Sequence, residues 1–349
     1  MTSIPIPKCP FPNPYNHKIA WIPFTGHIDL DIVGHMILND DKTRFKIMLW
    51  EQFNGDLGGY YRGQNKDYPT FMTSWKKLKT PLEKCIGWMQ KEEFIDWFIR
   101  TPYFEHFASR IEFAYKDDLP KGSGAKFCFD FEAIAQHYEF PTNYLDITTK
   151  RDIAEFFAYT YKDETTGEYK PIESFNEYHP VLYTSFASNA LNNPYNKDIC
   201  IVGFQPLLRP ILQYAMAINY ENNLIDYNKE FHKIELPQEK EKAFKVFDKF
   251  EGGKTIFPND YATTAANMIR ERTNDKKILN TEMFIKYCKE FNQNTKDIKN
   301  RLIHQGYTFS DVKVLMTKET LQDMQKHIDE KLIPWINEFV TYSSIINGN

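Results

Sequence analysis

Gln136-His137-Tyr138-Glu139-Phe140-Pro141-Thr142-Asn143-Tyr144-Leu145-Asp146 is the stretch whose reading decides the fold. Just before and inside it, Phe131, Ile134, Ala135 and Tyr138 recur at i, i+3, i+4 and i+7, the spacing of one helix face. Asp130 is the natural N-cap of that helix. The helix must stop before Pro141, because the residue preceding a proline is driven out of the helical region. Gln136 and His137 therefore fall in its last turn, and Tyr144-Leu145 read as a short extended piece. Thr148 or Thr149 is then expected to cap a second helix with Ile153, Phe156, Phe157 and Thr160 on its apolar face. Asp146 lies between the two helices, beside the start of the second. An amide, an imidazole and a carboxylate are thus gathered at element ends, where rigid structure presents polar groups.

Upstream, the polar, glycine-containing run Asn54–Gly59 breaks the chain before Tyr60-Tyr61-Arg62-Gly63-Gln64, read as the end of a first core strand. Lys18–Phe24 and Thr43–Trp50 read as strands, with Pro23 confining the first to a sheet edge. The first dozen residues are proline-rich and read as an extended arm. Helical spacing runs from Leu82 to about Phe113, and Lys121–Ala125 is a flexible loop. Downstream, Val181–Phe186, Ile199–Phe204 and Phe231–Pro237 read as strands, the second as buried on both faces by its continuous apolar run. Charge-rich helix then extends to Phe250, before the turn Gly252-Gly253. Leu321, Met324, Ile328, Leu332, Trp335, Ile336 and Phe339 form one helical stripe, which docks on the protein's own core or serves as a homodimer or partner surface. These patterns predict an α+β fold: a central, mainly antiparallel sheet, whole or split, flanked by helices, with a helical C-terminal extension. The expected divisions are residues 1–49 (arm and edge strands), 50–270 (main domain) and 271–349 (helical extension).

The chain of 349 residues carries a net charge of −4, which disfavours a whole-chain polyanion binder. Its 28 Phe and 21 Tyr supply ample core material. The 5 cysteines are scattered without metal-ligand spacing, which favours reduced thiols and a cytoplasmic location. No signal peptide is read in the first residues, and no apolar run approaches the ~20 residues that span a bilayer. Phosphate-binding glycine loops, a zinc motif and a nucleophilic-serine elbow are all missing, so no metal is expected. Lys76-Lys77-Leu78-Lys79 reads as a solvated helix face.

With these residues in view, the chain resembles FRG domain proteins, a family named for a Phe-Arg-Gly tripeptide that stands here as Tyr61-Arg62-Gly63. The run from Gln136 to Thr148 is similar to the family's second hallmark, Gln-His-Tyr-Gly-x-Pro-Thr-Arg-Leu-Leu-Asp-Trp-Thr. Arg209–Gln213 and Thr255–Asp260 resemble two later elements. Three positions depart from the pattern: Glu139 replaces a glycine, Asn143 an arginine and Ile147 a tryptophan. A more distant resemblance links the Arg-Gly pair, the Asp146–Phe157 segment and Gln213 to the three motifs of ADP-ribosyltransferases. That resemblance implies NAD as a substrate, cleaved by a bacterial toxin or defence effector with a protein or nucleic-acid acceptor; the lack of a long apolar run adds the expectation of no membrane partner. The catalytic group would comprise Arg62 on phosphate or ribose, Asp146 on the oxocarbenium-like sugar and His137 as acid or base. Tyr61, Gly63, Gln64, Gln136, Thr148, Phe157 and Gln213 would hold the nucleotide. Two alternatives stay open: a non-catalytic nucleotide- or partner-binding module, and a structural polar network, in which Arg62 pairs with Asp146 to lock two loops while His137 caps its helix, with function on the C-terminal helix.

Overall fold

The computed structural model describes residues 59–68, 71–103, 131–163, 165–186, 199–201, 207–220 and 231–332, with the strand backbones of 19–24, 31–38, 44–49 and 126–127. The proline-rich arm, the Asn54–Gly59 break up to residue 58, the 121–125 loop, the Asp130 cap, the helical spacing past residue 103 and the stripe from Trp335 onward lie outside these residues. So do residues 202–204 of the second downstream strand.

Near the N-terminus, β1 (Ile19–Phe24), β2 (Asp31–Leu38), β3 (Arg44–Leu49) and β5 (Lys126–Phe127) form a sheet in that order. β1 lies at its edge, with a register shift between Ile22 and Pro23, as a ring without an N–H demands. The central sheet has six strands in the order β10 (Ile199–Ile201), β11 (Ala215–Asn219), β6 (Tyr144–Thr148), β4 (Gly59–Gln64), β9 (Val181–Phe186), β12 (His232–Glu235). Every neighbouring pair in it is antiparallel.

This sheet is split. All 6 residues of β4 pair with β9, and all 5 of β6 pair with β11. Between β4 and β6 there is a single pair, Tyr61 with Thr148, beyond which the strands part. The expected antiparallel α+β architecture is therefore present. The expected strand from Ile199 is present over Ile199–Ile201, at the end of the sheet's strand order.

Strand alternation sends side chains to opposite faces. Tyr60, Leu145, Ile147, Tyr183, Met216 and Ile218 form one buried cluster with Phe71 and Phe231. On the other face lie α4 (Arg151–Tyr159) and α6 (Lys240–Lys249), joined through Ile153, Phe156, Leu182, Leu236 and Val246. Gly63 shows why its position takes glycine. A Cβ there would stand 1.7 Å from the Ala154 carbonyl oxygen, so α4 packs directly on the β4 main chain.

Neither threonine caps α4. Its N-cap is Lys150, without a side-chain cap bond, and Thr148 closes the last position of β6. The Thr148 hydroxyl instead accepts from the Lys150 N–H at 3.0 Å and donates to the Gln213 carbonyl at 2.8 Å. Helix propensity at a Thr-Thr pair was overridden by the strand ladder to Ala215.

α2 (Pro81–Ile99) begins at a capping box of Thr80 with Glu83 and places Pro81 in its first turn. Its Leu82, Cys85, Trp88 and Met89 join Met283, Phe284, Tyr287 and Leu302 of α8 (Thr281–Glu290) and α9 (Thr295–His304) in a third cluster. The helical extension thus docks on α2. In α10 (Lys318–His327) and the turn after it, Met324 and Ile328 of that stripe are fully buried within the chain, whereas Leu321 is half-buried.

Candidate functional site

A pocket of about 330 Å³ opens at the split between β4 and β6. Its lining includes Tyr61, Arg62, Gly63, Gln64, His137, Asp146, Thr148, Phe157 and Gln213, the expected site residues apart from Gln136. The same wall adds Lys77, Tyr161, Lys162 and Tyr169, none of which the sequence singled out as ligand contacts. Lys77 belongs to the basic run taken for a solvated face. Tyr161 and Tyr169 sit on the hairpin β7 (Thr160–Lys162) and β8 (Tyr169–Pro171), and no local pattern aims that hairpin at the cleft.

Arg62 shares the face of Tyr60, two residues earlier, and lies 5.6 Å over the Phe71 ring. From there its Nη1 donates to the Asp146 main-chain oxygen at 2.6 Å. The guanidinium therefore does not pair with the Asp146 carboxylate, as a loop-locking ion pair would require. It spans the split, satisfying a β6 carbonyl next to the place where the β4 ladder stops. Gln64, two residues further on, retains a buried Oε1 without a hydrogen-bond partner.

Asp146 projects to the opposite face, where its side chain is 42% exposed and opens to the pocket. Gln136, in α3 (Phe131–His137), sits behind it. Gln136 Nε2 donates to Asp146 Oδ2 at 3.2 Å. Its own oxygen is taken by the hydroxyls of Ser74 at 3.0 Å and Thr142 at 2.5 Å, which fix the amide's orientation. Asp146 Oδ1 has no hydrogen-bond partner and faces His137 Nε2, also unpartnered, at 3.5 Å. His137 is almost fully buried. Burial lowers its basicity below the ordinary imidazole value, against the opposing pull of Asp146. His137 Nδ1 lies 3.0 Å from Gln213 Oε1, and Gln213 Nε2 donates to the Ile256 carbonyl at 2.9 Å. The imidazole is therefore engaged by a side chain and is not a simple helix cap.

α5 (Leu208–Leu212) explains the spacing of Arg209 and Gln213, one turn apart. Gln213 meets His137 while Arg209 Nη2 donates to Glu139 Oε1 at 3.0 Å, so one turn reads two neighbouring positions of the 136–146 run. Glu139 has φ +66°, a left-handed conformation that suits a glycine and strains other residues. Here it is held by Arg209 and by Lys162 Nζ at 2.5 Å. Burial opposes ionisation of Glu139, but the two cations outweigh it and bring the carboxyl down to about 2. Of the other departures, Ile147 is buried in the sheet's apolar cluster and Asn143 offers its carbonyl to the Tyr220 N–H.

A family model described as the FRG domain matches residues 58–167. This stretch is an FRG domain. Arg62, His137, Asp146 and Phe157 lie inside it, whereas Tyr169 and Gln213 line the same pocket from beyond its end. β9 to β12, which complete the sheet, also follow residue 167. No curated protein and no solved structure matches the chain. Among the described residues, no group of three or more His, Cys, Asp or Glu could hold a metal ion. No described helix is long and apolar enough to cross a membrane.

Proposed function

We propose that the cleft of the FRG domain binds NAD and cleaves the bond between its nicotinamide and ribose. One observation carries this reading: the pocket is lined by a single carboxylate, Asp146, among Arg62, Lys77 and Lys162. That distribution suits a ligand whose phosphates are anionic and whose reacting sugar becomes cationic in the transition state. Phe157, Tyr61 and Tyr169 supply flat apolar surface for an aromatic ring. The volume is near the lower end of ligand pockets, ~300–1,000 Å³, so the cleft takes part of a dinucleotide and leaves the rest at its mouth.

In the reaction, the C1′–N bond breaks and its electron pair leaves with nicotinamide, which departs neutral. An oxygen nucleophile, from water or an acceptor, forms the new bond to C1′ and loses a proton. Asp146 stabilises the positive charge on the sugar, while Arg62 keeps the cleft open in its present shape.

The test is NAD binding by calorimetry, and nicotinamide release, in the wild type and in Asp146→Asn. Saturable binding with release that is lost in a folded Asp146→Asn protein supports the enzyme. Binding without release makes the cleft a nucleotide-recognition module, and absence of binding rejects NAD as its ligand.

A further inference from the structure

We propose that His137 and Asp146 act together as a proton acceptor at the back of the cleft, with Gln213 as the residue that positions the imidazole. The proton would be that of the attacking hydroxyl, so the role in turnover rests on the NAD-cleavage reading, whereas the arrangement of the pair does not.

The assignment begins with Gln213. Its Nε2 donates to Ile256 O, which leaves Oε1, an acceptor, against His137 Nδ1. Nδ1 must then carry the proton, and in a neutral imidazole the other nitrogen is a bare acceptor. That nitrogen, Nε2, faces Asp146 Oδ1, another acceptor. Neither atom has a hydrogen-bond partner, and their 3.5 Å separation exceeds the ~2.7–2.9 Å of a charge-assisted bond. Two buried lone pairs facing each other form an arrangement that one added proton converts into a hydrogen bond. A purely structural contact would oppose a donor to an acceptor.

The surroundings favour a pair that rests without that proton. Burial and the nearby Arg209 of α5 disfavour an imidazolium. Arg62 of β4, Lys77 of α1 (Ser74–Lys77) and Lys162 of β7 add positive charge around the cleft, and Tyr169 of β8 lies in its wall. Gln136 holds Asp146 Oδ2, so the carboxylate keeps its orientation as the proton arrives. The balanced step is short. The hydroxyl oxygen bonds to C1′, its proton passes to Asp146 and is shared with His137 Nε2, and nicotinamide leaves with the electron pair of the broken bond. His137 acts through Asp146 and need not touch the substrate.

The deciding experiment is a long-range nitrogen–proton NMR titration of His137 in the ligand-free full chain. Near neutral pH the wild type should show Nδ1 protonated and Nε2 bare. Asp146→Asn, whose amide can donate to Nε2, should lower the imidazole's titration midpoint. Gln213→Glu, which sets a carboxylate against Nδ1–H, should raise it by about one to three pH units. An Nε2–H form in the wild type, or a midpoint indifferent to Asp146→Asn, overturns the proposal. The tautomer is read in the unaltered protein, so it stands even if Gln213→Glu does not fold. With measurable NAD turnover, the acidic limb of kcat/KM should move upward in Gln213→Glu. A limb that stays put removes the pair from catalysis without touching the NAD reading.

Discussion

Two carboxylates only seven residues apart, Glu139 and Asp146, sit in contrasting polar clusters. Both Glu139 oxygens are taken by cations, Oε1 by Arg209 and Oε2 by Lys162. Asp146 has one oxygen held by an amide and the other unpartnered before a buried imidazole, with the cleft in front. A saturated carboxylate holds a left-handed turn and the start of α5 in place. An incompletely paired one keeps capacity for chemistry. The same residue type thus closes a structural network or stays available for the proposed chemistry, according to what its oxygens lack.

The largest effect is expected where the frame shared by both clusters is broken. Gly63→Ala drives a methyl group into the Ala154 carbonyl, so α4 must lift from β4. Its cost should reach or exceed the ~3 kcal/mol at the top of the usual overpacking range, read by chemical denaturation. A wild-type stability would mean that α4 is not seated on β4 as described.

Glu139→Gln comes next. It removes the charge facing Arg209, whose side chain is only 8% exposed. Because Glu139 itself is about one-third exposed, solvent screening limits the expected loss to about 1–2 kcal/mol. The acid dependence follows from the depressed carboxyl. Its folded value is about 2 against an ordinary 4.5, so its stabilisation is complete above 4.5 and is lost as pH falls through about 2. Denaturation series on wild type and Glu139→Gln should converge in that acid window, and parallel curves would show Glu139 to be uninvolved.

Asp146→Asn should invert this pattern. Its stability change should stay within ~1 kcal/mol, in line with a partly exposed side chain. Nicotinamide release should fall by roughly 100-fold or more, the usual contribution of positioned acid–base groups. If Asp146→Asn destabilises more than Glu139→Gln, the contrast between the clusters fails.

The smallest effect concerns His137. Its folded basicity lies below the ordinary 6.5, so the unfolded chain binds a proton that the native state refuses. Stability should therefore be complete above 6.5 and decline as pH falls below it. Replacing His137 with Gln should remove that portion of the pH dependence, as measured by urea midpoints.

Much of this was legible in the chain. The helix–turn–strand order of residues 131–148 follows from apolar spacing and from Pro141, and the edge position of β1 follows from Pro23. Thr148 misled because a threonine before a helix signals a cap, whereas pairing with β11 kept it in a strand. β11 itself went unread, since Ala215–Asn219 is too short to distinguish strand from buried helix by periodicity. Gly63 entered only as a nucleotide contact, whereas within the fold it is α4 that packs on its main chain.

By itself the sequence determined the antiparallel α+β class, the FRG tripeptide region and the cluster of Gln136, His137 and Asp146, because those depend on local periodicity, turn chemistry and residue type. Only the tertiary structure decided that β4 and β6 share one pair and then separate, that Arg62 bridges the opening to a main-chain oxygen, and that Gln213 meets His137. Each of these depends on contacts between residues 76 to 87 positions apart in the chain, which spacing along the chain does not encode.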